Sequence, residues 1–215
     1  MSISAKTIAE LRSKTGAGIM DCKKALKETD GDMDKAIEYL QKKSLAAVGK
    51  RAGKIAAEGG IGSYVHGGRI GVIVEINCET DFVARGEQFQ ALLKDISMHI
   101  ASMNPSYLNS DEISADEIAK QREIFGARLL EQGKPEAMIA KIVDGQLNKW
   151  FSEVCLLDQG FFKEDKKSVR DHVTEVAATI KENIQIRRFS RFELGEGIER
   201  EEADFAAEVA ATAGL

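Results

Sequence analysis

The run Asn77-Cys78-Glu79-Thr80-Asp81-Phe82-Val83-Ala84-Arg85 sets a carboxylate and a large aromatic where an alternating pattern turns helical. Asp81 fits a helix cap, whose side-chain oxygen accepts from the free amides of the first turn, and Thr80 fits the same role. Phe82 fits a core position poorly. Counted back from Phe89 in helical phase, it reaches the apolar stripe only at its margin. An aromatic left exposed at such a junction is an anchor for a partner. A cap followed by a core phenylalanine is the plainer reading of the same residues.

Covalent chemistry finds little support. There is no glycine-rich loop ending in Lys-Ser/Thr, no H-E-x-x-H, no paired-cysteine spacing and no G-x-S-x-G. The expectation is that the chain is not an enzyme and carries no metal or cofactor of its own. His99 and His172 sit within helical patterns and read as structural or exposed, whereas His66 lies beside Gly67-Gly68 at a turn, where a side chain can reach a partner. Cys22, Cys78 and Cys155 are distant from one another and set in apolar patterns, which reads as reduced core residues rather than a disulfide framework.

The elements that must position these residues follow from caps and periodicity. Residues 4 to 43 read as three short helices. Ser4 caps the first, Thr15-Gly16-Ala17-Gly18 ends it, the second runs from about Ile19 to Glu28, and Asp32 caps the third. Their inward residues, Cys22, Ala25, Leu26, Met33, Ile37 and Leu40, make a small core. Lys42 to Lys54 reads as a basic helical or flexible linker. A β-hairpin follows, Gly62 to His66 turning through Gly67-Gly68 into the alternation of Ile70, Val72, Val74, Ile76 and Cys78. From Phe82 one helix buries Phe89, Leu92, Leu93, Ile96 and Ile100 and stops at Asn104-Pro105. Two helices, about 114–132 and 135–151, form a thin antiparallel seam and read as a projecting hairpin. A helix over 168–182 and a strand over 184–194 complete the body, with a short helix near Asp204 to Ala211.

The predicted fold class is α+β: an N-terminal three-helix domain resembling ubiquitin-associated domains, a three-stranded antiparallel sheet with helices on one face, and a projecting helical hairpin. The expected domains are 1–54, 55–200 with the hairpin at about 112–152 inserted, and a C-terminal helix in 201–215. A small sheet leaves an edge open to pairing between two copies.

With 215 residues, 43% of them hydrophobic, the chain can bury one sizeable core and a small satellite. No apolar run reaches the length of a membrane span, and the opening residues lack a secretory stretch, so a cytoplasmic or plastid-stroma setting is expected. Charge is uneven. Residues 1 to 54 carry 12 Lys/Arg against 7 Asp/Glu, and residues 193 to 208 carry 1 against 7, so the two ends suit different surfaces of one partner. A nucleic-acid binder using Lys42, Lys43, Lys50, Arg51 and Lys54 is disfavoured by the net charge of −5 and by the lack of interleaved aromatics. A ubiquitin-binding adaptor rests on the N-terminal helices alone.

Six motifs together resemble the elongation factor Ts family: R-S-K-T-G-A-G-I-M-D-C-K-K-A-L from Arg12, H-G-G-R-I-G from His66, N-C-E-T-D-F-V from Asn77, E-N-I-Q-I-R-R-F from Glu182, F-E-L-G-E-G-I-E from Phe192 and D-F-A-A-E-V-A-A from Asp204. The resemblance covers essentially the whole chain. It implies a guanine nucleotide exchange factor that binds GDP-loaded elongation factor Tu and promotes GDP release by displacing the magnesium ion. Thr80, Asp81, Phe82 and Val83 inherit the intruding segment, with Phe82 as wedge. Ile19, Met20 and Lys23 inherit docking on the GTPase's nucleotide domain, as does the C-terminal helix. His66, and more weakly Phe162 and Lys163 in Q-G-F-F-K, inherit further contacts. Longer members carry a duplicated core, whereas this chain has a single set of hairpin, helix and final strand, which implies that two copies pair.

Overall fold

The computed structural model describes residues 3–198. Three helices open the chain. Helix α1 (Ala5–Thr15) is capped by Ser4, whose hydroxyl accepts the Thr7 N–H, and it ends at Gly16, which takes the left-handed φ of 65° that a helix exit requires. Helix α2 (Ile19–Glu28) follows, then α3 (Met33–Arg51), capped by the Asp32 side chain on the Lys35 amide. The linker expected over Lys42 to Lys54 is mostly the continuation of α3. Leu11, Cys22, Ala25, Leu26, Ala36 and Leu40 form the core of this unit.

Strand β1 (Glu58–His66) and strand β2 (Ile70–Cys78) pair antiparallel from Glu58↔Cys78 to His66↔Ile70, and β1 begins four residues earlier than its hydrophobic pattern suggests. That extra length, Glu58 to Ile61, holds two glycines: a Cβ at Gly60 would press on Leu93 of the covering helix at 3.1 Å, and one at Gly59 would run into the Ile76 carbonyl of β2. Where one helix was expected from Phe82, there are two. A single turn, α4 (Asp81–Ala84), is separated from α5 (Glu87–Met103) by Arg85 and Gly86, and this break releases Phe82 from the buried stripe of α5. Phe89, Leu92, Ile96 and Ile100 of that stripe are fully or almost fully buried, each stabilising the fold by about 1.5–3 kcal/mol relative to exposure.

Helices α6 (Ala115–Glu131) and α7 (Glu136–Val154) pack on each other through their own cluster of Leu129, Val143 and Leu147. A small antiparallel pair absent from the sequence reading comes next, β3 (Gly160–Phe161) and β4 (Glu164–Ser168), turning at Phe162-Lys163. Helix α8 (Val169–Ile180) starts at a reciprocal cap between Ser168 and Asp171. It leads into β5 (Gln185–Glu193), which pairs antiparallel with β2, so the main sheet has the order β1-β2-β5. Val72, Val74 and Ile76 of β2 face the helices in the main core, which α5 and α8 share. The helix placed near Asp204 to Ala211 lies outside the described residues.

Candidate functional site

The junction between β2 and α5 is held from outside by one corner of the chain, the link between α8 and β5. Glu182 in that link accepts the Glu79 N–H at 3.0 Å and the Thr80 N–H at 3.1 Å on one oxygen, and the Thr80 hydroxyl at 2.6 Å on the other. Thr80, fixed in this way, caps α4, its Oγ1 accepting the Val83 N–H. Val83 turns toward the core and Asp81 pairs with Arg85 at 3.0 Å. Phe82 turns the other way. Its side chain meets so little of its own molecule that it is 82% exposed, the outcome expected of an anchor and not of a core residue.

Glu79 is bound just as closely. Its carboxylate accepts the Asn183 N–H at 2.7 Å and pairs with Arg51 at the end of α3 and with Lys54 beyond it, at 2.9 and 3.3 Å. The Asn183 amide, then Arg51 and Lys54, hold its pKa below the ordinary carboxylate range. Lys181, the residue before Glu182, reaches Asp21 of α2 at 3.2 Å. Ile19, Met20 and Lys23 are exposed at the start of that same helix, with Met20 74% accessible. One corner, residues 181–183, therefore touches both α2 and the Thr80–Val83 segment.

The other expected residues lie elsewhere. His66 sits at the turn where Arg69 N–H donates to the His66 carbonyl, and its ring meets the Tyr64 hydroxyl at 3.1 Å. That turn is at the opposite end of β2 from Thr80, eight strand steps or about 27 Å away. Phe162 and Lys163 form the β3–β4 turn over the middle of α5, where Lys163 pairs with Asp95 at 2.7 Å. His99 under that turn is buried and accepts the Phe162 N–H on Nδ1. Its Nε2 faces Gln159 Oε1 at 2.9 Å, and desolvation lowers its pKa, so it serves as a structural histidine. The three cysteines are free and buried, and no cluster of metal-ligating side chains exists among the described residues. Of the basic residues near the linker, Lys42, Lys43, Arg51 and Lys54 each pair with a carboxylate. No described helix is long and apolar enough to cross a membrane.

The family model described as "Elongation factor TS" matches residues 5–196. The elongation factor Ts of Geobacter metallireducens is 57% identical over 216 residues, covering all of both chains. Those of Desulforamulus reducens and an Anaeromyxobacter strain are 56% and 55% identical, covering 97% or more of this chain and of their own. The chain belongs to the elongation factor Ts family.

Membership in the elongation factor Ts family brings with it the family's general role, nucleotide exchange on elongation factor Tu, and it corrects one expectation. The absence of hydrolytic or nucleophilic motifs led to a non-enzymatic reading. Exchange is catalytic in kind, since it lowers the barrier to GDP release, although no enzyme class is named for the family. Motifs for covalent chemistry carry no signal of such a role, because exchange makes and breaks no covalent bond. In the sequence Glu79 and Glu182 stand out only as members of N-C-E-T-D-F-V and E-N-I-Q-I-R-R-F, and Lys181 belongs to no motif.

Proposed function

We propose that the chain docks on GDP-loaded elongation factor Tu and speeds GDP release by lodging Phe82 and Asp81 beside the nucleotide's magnesium ion. One observation carries this reading: an aromatic ring 82% exposed on a single helical turn whose base is tied into the core. GDP in such a GTPase is held by backbone amides and by a magnesium ion whose octahedral shell tolerates little displacement. A ring inserted between elements of the GTPase moves those ligands without touching the base. Linkage then makes the factor and the nucleotide weaken each other by the same ratio, so GTP can enter and the factor leaves. Each tenfold loss of nucleotide affinity needs about 1.4 kcal/mol, within the reach of one buried aromatic anchor.

The supporting assignments follow the same reading. The N-terminal three-helix unit, residues 1–54, is ubiquitin-associated-like and docks through Ile19, Met20 and Lys23. Residues 55–200 form the core, with a projecting helical hairpin, and 201–215 supply a further contact. His66, Phe162 and Lys163 contact other parts of the GTPase. The bacterial origin of the relatives supports a bacterial cytoplasm over a plastid stroma. Stopped-flow release of labelled GDP from elongation factor Tu tests the wedge. Phe82→Ala is expected to slow stimulated release by about thirtyfold or more, the scale of a single hot-spot residue, and an unchanged rate removes Phe82 from the mechanism.

A second assignment rests on a separate observation. Ile61, Val65, Ile73 and Phe192 are each more than half exposed on the sheet face opposite the helices, and a grouping of large apolar side chains of this kind marks an interaction surface. Two copies stacked on these faces would rebuild a double core. Light scattering should give twice the chain mass, reduced to one by Ile73→Lys, and a wild-type monomer at micromolar concentration refutes the pairing.

A further inference from the structure

We propose that Glu182 is the positioning residue of the exchange reaction, acting through Thr80 to hold Phe82 at a fixed place relative to α2; this rests on the reading of Phe82 as the wedge. The four-residue helix α4 is too short to fix its own direction, since nearly all of its amides fall in the first turn, where helix geometry supplies no partner. Something outside it must hold it. Glu182 is the group that does so, taking two consecutive backbone amides and the capping hydroxyl on one carboxylate from 102 residues away in the chain. Charge-assisted bonds of this kind are shorter and stronger than neutral ones.

The arrangement has a second half. Glu79 reaches back to the Asn183 amide, and the Asn183 side chain donates to the Lys54 carbonyl at 2.8 Å. The two segments therefore hold each other by crossed carboxylates. Glu182 stands between Lys181, which is bound to Asp21 of α2, and Asn183, which is bound to the end of the N-terminal unit. Lys181 ends α8 in the left-handed conformation, with φ of 66°, and this exit turns the chain from the helix toward β5. A GTPase gripped by α2 thus meets Phe82 at a set distance, and a displacement of about 1 Å in such a constellation can cost up to a hundredfold in rate.

The test compares Glu182→Ala, Glu182→Gln and Phe82→Ala in stopped-flow GDP release over a range of factor concentrations, with amide hydrogen exchange on each free protein. Glu182→Ala should lower the rate at saturating factor by about tenfold while leaving the half-saturating concentration in place, because docking through α2 is intact. It should also speed exchange at the Glu79 and Thr80 amides by more than about tenfold while the strand amides of β2 keep their protection. Glu182→Gln keeps an acceptor oxygen for the amides, and its N–H can donate to Thr80, so it should restore most of the saturating rate. Where alanine does not fold, Glu182→Asp, whose carboxylate is withdrawn by one methylene, carries the same test. A shift in half-saturation alone, or an unchanged saturating rate alongside a slowed Phe82→Ala, overturns the positioning role and leaves the wedge standing. An unimpaired Phe82→Ala overturns both.

Discussion

Glu79 and Glu182, 103 residues apart, exchange backbone amides: Glu182 accepts the Glu79 N–H at 3.0 Å while Glu79 accepts the N–H of Asn183, the neighbour of Glu182, at 2.7 Å. The strand that leads to Phe82 and the strand that closes the sheet are thereby held together beyond the last ladder pair, Asn77 with Gln185. Glu79 also ends two ion pairs with exposed or half-exposed cations, and such pairs contribute little by themselves. A backbone amide stripped of its acceptor is the larger loss. Glu79→Ala is therefore expected to lower the thermal midpoint by more than Arg51→Ala and Lys54→Ala together. Calorimetry of the three variants checks the order, and equal losses would show that the cations, not the Asn183 amide, make this contact matter.

How much of this was legible beforehand depended on the range of the interaction. Ser4, Gly16 and Asp32 mark helix ends by local chemistry, and Gly67-Gly68 marks the hairpin because consecutive positive φ angles of 55° and 68° suit glycine. The junction at Thr80–Val83 was readable from its cap residues, but helical phase does not set Phe82 apart: it lies seven residues before Phe89, on the same face of a continuous helix, and is exposed because the helix breaks at Arg85-Gly86. The pair β3–β4 was not. Its first strand is two residues long, and Glu164-Asp165-Lys166-Lys167 has no apolar alternation to detect. The break at Gly86 went unseen because Phe82 and Phe89 are seven apart, a spacing that fits a continuous helix as well as an interrupted one. Glu182 was invisible as a support because its partners are over a hundred residues away.

The α2 contacts should separate from the wedge in kinetics. Met20 and Lys23 are exposed at the start of α2, and in the proposed reading they supply docking and not nucleotide displacement. Met20→Ala with Lys23→Glu is expected to raise the half-saturating concentration by about tenfold or more, with the rate at saturation nearly unchanged. The Lys23 share of the effect should shrink as salt is added, since exposed charges are screened. A lower saturating rate at unchanged half-saturation contradicts a docking role.

Gly62 makes a prediction about the sheet that carries the junction. A Cβ there would lie 2.7 Å from Ser97 Oγ and 2.8 Å from Leu93 Cγ, so α5 would have to move away from β1. Overpacking of this kind costs about 1–3 kcal/mol. Gly62→Ala should lose stability in that range in urea titrations. Gly71→Ala, with nothing within 4 Å of its Cβ, should lose much less. Similar losses at both glycines would mean that strand propensity, and not the approach of α5, sets the requirement.

Glu75 gives the sheet a defined acid limit. Its carboxylate lies between Arg187 at 2.8 Å and Arg188 at 2.6 Å, both within reach because β5 shifts register opposite Glu75/Ile76. Arg187 and then Arg188 push its pKa down from 4.5 to about 2. A carboxylate with its folded pKa depressed stabilises the fold at every pH above its unfolded value, and that contribution fades as pH falls from the unfolded toward the folded value. Glu75→Gln should therefore be less stable than the wild type at neutral pH, and the gap should begin to narrow below about pH 4.5 and close near pH 2. Denaturant midpoints for both proteins across that window check the sign. A gap that stays constant down to pH 2 would show that the Glu75 charge contributes nothing and that only its shape is required.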